Sequence, residues 1–307
     1  MTEVSYLEDD RHLEVVQSAK PPSMIELFWR ELKHDYLGMA GLIILVIIIA
    51  SIYIAAPILT ATMNVMQTNL INMNQSPADS GSLLGTDMMG RYIAPLLVVA
   101  ARNSFNISFA VTTLSFAIGL IVGVVSGFYG GKLDNGIMRV VDTWSMLPSL
   151  MFIIAMITLA DERTVPLFIL FLTMFTWMGR TRLVRAAALQ NRNMDYINAS
   201  KTLGTRNGII IIREMLPNLV DIIVANFVIT LAASIGMETG LSLLGFGLGM
   251  EWPSLGTMLQ AALQPINLQF RWWTWAPALL LVVTIMLCIN FVGNALQRVA
   301  DPKQRLQ

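Results

Sequence analysis

Apolar residues in this chain come in long blocks rather than in alternation. No charge occurs from Leu37 to Ile58, Asn103 to Gly131, Thr143 to Ala160, Thr164 to Gly179, Ile222 to Met237 or Trp272 to Gln297. A helix that crosses the hydrocarbon core needs about 20 residues, within a range of about 17–25. The blocks therefore predict six transmembrane helices in an all-α polytopic membrane protein. Thr164 to Gly179 is short by itself, but Arg180 and Arg182 lengthen it by extending their charged heads to the interface.

The polar positions divide the rest. Residues 1–36 form an N-terminal segment with an amphipathic helix over 23–35. Pro21-Pro22-Ser23 supplies a stop and an N-cap, and Glu26 completes a capping box. Ile25, Leu27, Phe28, Trp29 and Leu32 alternate with Glu26, Arg30, Glu31 and Lys33, the pattern of a helix on a membrane surface. That helix either stands alone beside the membrane or packs on the bundle. The first span occupies 37–59. Asn74, Gln75, Ser76, Pro77, Ser80, Gly81 and Ser82 mark 60–101 as loop. A five-span core follows over 102–300, with a polar loop at 180–217, and 301–307 is a tail.

Composition agrees: 55% of residues are apolar and 13% charged. Residues 1–36 are polar and mixed in charge, and the first apolar run is long enough to span, so no cleaved secretory signal is expected. Cys288 is the single cysteine, so no disulfide framework exists. Net charge is zero, but its distribution is lopsided. With both termini in the cytoplasm, the inner side carries sixteen Lys and Arg: Arg11, Lys20, Arg30, Lys33, Lys132, Arg139, the seven of the 180–217 loop, Arg298, Lys303 and Arg305. The outer side keeps four, Arg91, Arg102, Arg163 and Arg271. This bias sets the expected topology in the plasma or inner membrane. It speaks for membrane orientation, with lipid as a partner, and not for nucleic acid.

The polar stretch from Arg180 to Asn218 organises the second half of the chain. Met194 to Leu203 reads as a short helix that Gly204 stops. Leu216-Pro217-Asn218 restarts the chain, with Pro early in the next helix. About ten residues of helix are marginal alone in water, so this one docks either on its own protein or in a groove on a partner. Asp195, Asn198, Ala199, Ser200, Lys201, Gly204, Arg206, Leu216 and Pro217 are the residues expected to form the docking element.

Three further features carry candidate chemistry. Gly119, Gly123 and Gly127 form a small-residue stripe on the second span, for close packing inside the subunit or against another. Asp87 and Arg91 are four apart, placed to pair on one helical turn. Glu238, Gly240, Ser242, Gly245, Gly247 and Gly249 interrupt the fifth span. Glycines so close break a regular helix, and irregular backbone at membrane depth survives only against protein or a watery cavity. Glu238 either lines a path for solute or caps the break at the water interface. Trp272, Trp273 and Trp275 mark an interface before the last span.

These motifs resemble the C-type permeases of oligopeptide and dipeptide ABC importers, the OppC/DppC-like family. Asn198-Ala199-Ser200, Gly204 and Leu216-Pro217 keep the register of the family's E-A-A loop, with Asn198 for Glu and Ser200 for the second Ala. Glu214 stands where the peptide branch often has His. Leu84-Gly85-Thr86-Asp87-Met88-Met89-Gly90-Arg91 is similar to the family's LGTDxxGRD, with Tyr92 for the final Asp. Gly130-Gly131, Asp134, Met138-Arg139, Asp142 and Pro148 follow the same pattern, as do Glu238 to Gly247 and Trp252 to Leu259. The likeness runs from about residue 84 to 302.

The resemblance implies an ABC type I importer permease that moves peptides by alternating access. It also implies partners: a second, OppB/DppB-like permease, two ATP-binding subunits that hold ATP and Mg, and an extracellular peptide-binding protein. No cofactor is implied in this chain. The residues agree: Gly131-Lys132 is followed by Leu133, and Ser126 stands where a phosphate loop needs its first Gly. His12 and His34 are the only histidines, both in the N-terminal segment, so neither a His-metal cluster nor a membrane Ser–His pair is expected. From the residues alone, a secondary transporter or channel working without an ATPase stays open, as does a non-transporting scaffold.

Overall fold

The computed structural model of the protein describes residues 24–249 and 251–300. The Pro21-Pro22-Ser23 cap and the 301–307 tail lie outside the described residues. Helix α1 (Met24–His34) precedes α2 (Tyr36–Thr62). The Asp35 carboxylate between them accepts from the Leu37 and Gly38 N–H groups, both at 3.1 Å, and so caps α2. Arg298 near the end of the chain reaches the same carboxylate. Leu32 is fully buried, and Phe28 packs beside Ala225, Val292 and Leu296. Of the two readings of this segment, packing on the bundle is the one realised.

Among the described residues five helices are long and apolar enough to cross a membrane: α2, α3 (Ile93–Tyr129), α6 (Val165–Arg192), α8 (Asn207–Leu243) and α10 (Ala276–Ala300). The sixth expected span is a bent pair, α4 (Gly131–Ser145) and α5 (Ser149–Leu159), with 73° between its limbs. Pro148 lies in the bend and biases the residue before it away from helix. The 11 residues of α5 reach only about 16 Å, about half a hydrocarbon core. Helix α4 bears Lys132, Asp134, Arg139 and Asp142, charges that hydrocarbon does not accept.

Among the helices that extend beyond their charge-free blocks, α3 and α6 do so through contacts made elsewhere in the bundle. α3 starts at Ile93 because Ile93, Leu96 and Ala100 are buried against Ala278, Val282 and their neighbours. α6 continues to Arg192, so the first part of the expected loop is helical. Its arginines are held from α3 and α4. Arg185 makes a two-pronged contact with Asp134 at 2.5 and 2.6 Å, Arg182 reaches Asp142 at 2.9 Å, and Arg180 lies 5.9 Å over the Phe116 ring.

The glycine stripe lies inside the subunit, where α3 meets α6. A Cβ on Gly123 would lie 2.8 Å from the Thr181 carbonyl and 2.9 Å from Val184 Cβ, and one on Gly127 would lie 2.7 Å from Ala188 Cβ. Only hydrogen fits there, so the two backbones approach closely over two turns.

Helix α8 departs from expectation at both ends. It does not restart at Leu216-Pro217 but begins at Asn207 and passes through a π turn, Ile211–Met215. Pro217 has no N–H to return to the preceding turn. The wider turn, with Leu216 N–H donating to the Ile211 carbonyl, lets the helix continue past it. At the other end α8 runs unbroken through Glu238 and Gly240 to Leu243. The break comes at Gly245, with φ +89°, a left-handed turn that suits glycine. A lone Gly inside a helix costs about 1 kcal/mol, less than the burial of Leu241 and its neighbours returns. After the break, α9 (Leu255–Leu259) is a short buried helix with a Ser254/Thr257 capping box.

Asp87 and Arg91 pair at 2.7 Å, but in a loop turn rather than on a helix, and their side chains are only 13% and 10% exposed. Asp87 also accepts the Met89 and Arg91 N–H groups. The pair is thus a largely buried staple of the loop between α2 and α3.

Two outcomes test this fold. Gly123→Leu should wedge α3 from α6 and cost about 1–3 kcal/mol, seen as a lower melting temperature of the purified protein. Gly136→Ala, where no atom lies within 4 Å of the new Cβ, should leave it unchanged. The Gly38 N–H bond and the Arg298 guanidinium together hold the Asp35 carboxyl below its ordinary value of 3.8. Its stabilisation is therefore complete above that value and lost as pH falls through the lower, folded one. Protection of residues 24–40 from hydrogen exchange, taken relative to the intrinsic rate at each pH, should fall as pH drops below 3.8, and Asp35→Asn should flatten that response.

Candidate functional site

Two clusters gather the residues singled out above, at opposite ends of α8. The first is built around α7 (Asp195–Thr202). Ile197 is its anchor: it is fully buried, in a pocket of Val124, Phe128, Val184, Ala188, Ile210 and Met215. One side chain thus ties α7 to α3, α6 and the start of α8. The C-terminus is closed by a Schellman pair, with Gly204 N–H donating to the Lys201 carbonyl at 3.0 Å and Thr205 N–H to the Ser200 carbonyl at 3.1 Å. Gly204 has φ +77°, which this cap requires.

The polar side chains divide between inward bracing and outward display. Ser200 Oγ donates to Glu214 Oε1 at 2.6 Å, fastening α7 to the π turn. Lys201 Nζ lies 5.3 Å over the Phe128 ring. Asn198 Nδ2 donates to the Asn193 carbonyl at 3.3 Å, and Tyr196 donates to Asn191 at 2.7 Å. Asp195, Asn198, Ala199, Gly204 and Arg206 are exposed, and so is Leu203, at 84%. Leu216 and Pro217 do not join this surface; they begin the regular part of α8.

Ser200 and Glu214 are two of the positions at which the sequence departs from the permease pattern, and they bond to each other. Their fourteen-residue separation gives no local signal of this, since the loop and the π turn decide it. Glu214 Oε2 remains buried without a partner.

The second cluster surrounds Glu238, which is 1% exposed. Its carboxylate accepts from Ser242 Oγ at 2.9 Å and Thr239 Oγ1 at 3.4 Å, and the Ser104 and Ser254 hydroxyls face it. Four hydroxyls from α3, α8 and the segment before α9 thus converge on one acid. Ser104 Oγ also accepts from the Leu255 N–H at 3.0 Å, and Asn103 Nδ2 donates to the Pro253 carbonyl at 2.8 Å. Cβ atoms on Gly247 or Gly256 would lie 2.3 and 2.4 Å from Ser242 side-chain atoms, so glycine is required at both. Gly240 has open space and Gly245 makes the turn. In this conformation Glu238 sits in the subunit interior, neither on a water-lined wall nor at an interface. The sequence reading missed Ser104, which matches no motif, and gave Ser254, inside the Trp252 to Leu259 stretch, no link to Glu238.

Among the described residues no group of three or more His, Cys, Asp and Glu gathers as a metal site. The geometry offers a braced helix for contact with another protein and a hydroxyl-caged acid that ties a short buried helix to two long ones.

Comparison with known proteins places this architecture. Residues 119–306 match the model of binding-protein-dependent transport system inner membrane components. Residues 23–77 match the N-terminal transmembrane domain of oligopeptide transport permease C. The oligopeptide transport system permease protein OppC of Lactococcus lactis subsp. lactis (strain IL1403) is 42% identical over 92% of this chain and 96% of its own length. The dipeptide transport system permease protein DppC of Bacillus subtilis (strain 168) is 34% identical over 94% of this chain and 89% of its own. In fold the chain is similar to a solved chain of the MetNI methionine ABC transporter in an inward-facing conformation. The TM-score is 0.56 at 22% identity, covering 67% of this chain and 96% of that one. A hydropathy pattern of five or six spans, a short braced helix after the fourth block and these matches agree: the chain belongs to the binding-protein-dependent ABC transporter inner membrane permeases, in their OppC/DppC-like branch, a multi-pass membrane family whose ATPase activity lies in partner subunits.

Proposed function

We propose that this chain forms one side of the translocation path of an importer for oligopeptides or dipeptides, and that a second, OppB/DppB-like permease forms the other. The names of its relatives, an oligopeptide permease and a dipeptide permease, support the substrate class. An importer of this family also draws on ATPase and binding-protein partners. We assign two ATP-binding subunits to the side bearing α7, and a peptide-binding protein to the far side. Both termini then lie in the cytoplasm, in keeping with the Lys and Arg bias.

The observation that carries this reading is the build of α7. A helix of 8 residues does not persist alone. This one is anchored by Ile197, capped at Gly204 and tied to α8 through Ser200 and Glu214. Its outward face, with Asp195, Asn198, Ala199, Lys201 and Arg206, is left for the ATPase. Closure of the ATPase pair pushes α7. The push passes through Ile197 into α3 and α6, and through Glu214 into α8. Helix α8 leads to the Glu238 cage, where Ser242, Gly245 and Gly247 hold the segment that we assign to the outer gate. In this scheme Glu238 is a positioning residue of the gate and does not touch the peptide.

Gly204→Asp, or removal of residues 198–203, should leave the membrane helices inserted while uptake falls by about tenfold or more, a docking loss of at least about 1.4 kcal/mol. Uptake at the original rate would remove the docking role. Ala199→Cys, in membranes made without the ATP-binding subunits, should react with an impermeant thiol reagent from the cytoplasmic side alone; the only native cysteine, Cys288, is buried. Glu238→Ala strands hydroxyls from three segments and should cost about 3 kcal/mol, with faster hydrogen exchange over residues 251–264. Glu238→Gln fills the same space and should keep near-normal stability and peptide KM. A raised KM at unchanged stability would return Glu238 to the path.

A further inference from the structure

At the end of the bundle opposite α7 lies a cleft of about 520 Å3 between the end of α2, the second and third turns of α3, and the segment entering α9. Arg102 and Glu251 both line it, with Trp252 at its edge. The Arg102 Nε is buried without a hydrogen-bond partner. Neither Arg102 nor Glu251 takes part in an ion pair among the described residues. A cation and an anion that share a cleft without meeting suit a ligand that carries both charges.

The surface running inward from the cleft is aromatic. Arg102, Asn106, Phe109 and Thr113 recur at helical spacing on one face of α3, and Phe109 is 47% exposed. Phe105 stacks on Phe109 with centroids 6.3 Å apart. Tyr53 of α2 meets Phe105 edge-on at 6.2 Å, and Phe227 of α8 meets Phe109 at 5.9 Å. Tyr53 also donates to Asn106, which fixes the mouth of the groove. From Arg102 to Thr113 the stripe extends about 16 Å, close to the hydrocarbon half-thickness of one leaflet, about 15 Å.

We infer that this cleft and groove bind a single phospholipid of the leaflet away from α7, with its phosphate on Arg102, its ammonium headgroup toward Glu251 and one acyl chain along Phe105, Phe109 and Phe227. Arg matches phosphate oxygens with paired N–H donors. A primary ammonium, as in phosphatidylethanolamine, donates hydrogen bonds to the Glu251 carboxylate; a choline headgroup has no N–H to donate, and phosphatidylglycerol has no cation. The aromatic faces supply apolar contact of fixed shape. Such a lipid joins α2 to α3 and α8, so its presence tightens the first span against the core.

Native mass spectrometry of the assembled importer, released from nanodiscs of equal phosphatidylethanolamine, phosphatidylglycerol and phosphatidylcholine, tests this. The wild type should retain one phosphatidylethanolamine in preference to phosphatidylcholine by about tenfold, the effect of one charge-assisted contact. Arg102→Gln should lose that lipid, and Arg102→Lys, which keeps the charge, should hold it. Glu251→Gln should abolish the preference for phosphatidylethanolamine over phosphatidylglycerol while still retaining a phospholipid. Equal retention by wild type and Arg102→Gln, loss in both Arg102 variants, or no headgroup preference in the wild type would overturn the assignment. So would full cross-linking to the second permease from a photoreactive group attached at Thr62→Cys, because protein would then cover the cleft.

Discussion

Close approach of α3 and α6 is the constraint on which the rest of the subunit depends. Three glycines four residues apart leave room for the backbone of Thr181, Arg185 and the Ala188 side chain. In lipid no hydrophobic force draws helices together, so such contacts rest on van der Waals packing and polar bonds. Here both are present. Below the seam, Arg185 closes on Asp134, and Ser126 of α3 donates to the same carboxylate. The bent pair α4–α5 is thereby held to α3 and α6, and the α7 end of the bundle becomes one body.

The short helix α7 inherits its position from this body. Val124 and Phe128 of α3 and Val184 and Ala188 of α6 make most of the pocket for Ile197. The seam therefore sets the pocket, the pocket sets Ile197, and Ile197 sets the displayed face. The second tie, Ser200 to Glu214, runs to the π turn of α8 rather than to the seam. A π turn is a register defect in a helix, and its carbonyl geometry differs from that of the helix on either side. The tie from α7 thus meets the long helix at the point where its ladder is already irregular.

At the far end α8 meets a different kind of joint. The seam relies on shape, whereas the Glu238 cluster relies on polar satisfaction. A buried carboxylate without donors is costly, and hydroxyls from α3, α8 and the approach to α9 remove that cost jointly. Each hydroxyl is a weak tie, yet all share one acceptor, so the three segments are coupled through it. A joint of this kind is rigid when complete and labile when any member leaves.

Long apolar blocks were enough to reveal the membrane helices, because the bilayer forces every span to declare itself in composition. Gly204 as a helix stop and the close packing of the glycine stripe were equally legible, since each is a local backbone property. Three features were not. Arg180 to Arg192 reads as polar loop but is helix, because partners on α3 and α4 neutralise charges that look unpaired in the sequence. The glycine run after Glu238 reads as a break but stays helical to Leu243, because burial outweighs the intrinsic cost of Gly240. Glu238 itself reads as a residue of the path or the interface, and only the arrival of Ser104 and Ser254 from distant segments encloses it. Local chemistry is written along the chain; which distant groups share a carboxylate is decided by how the helices pack.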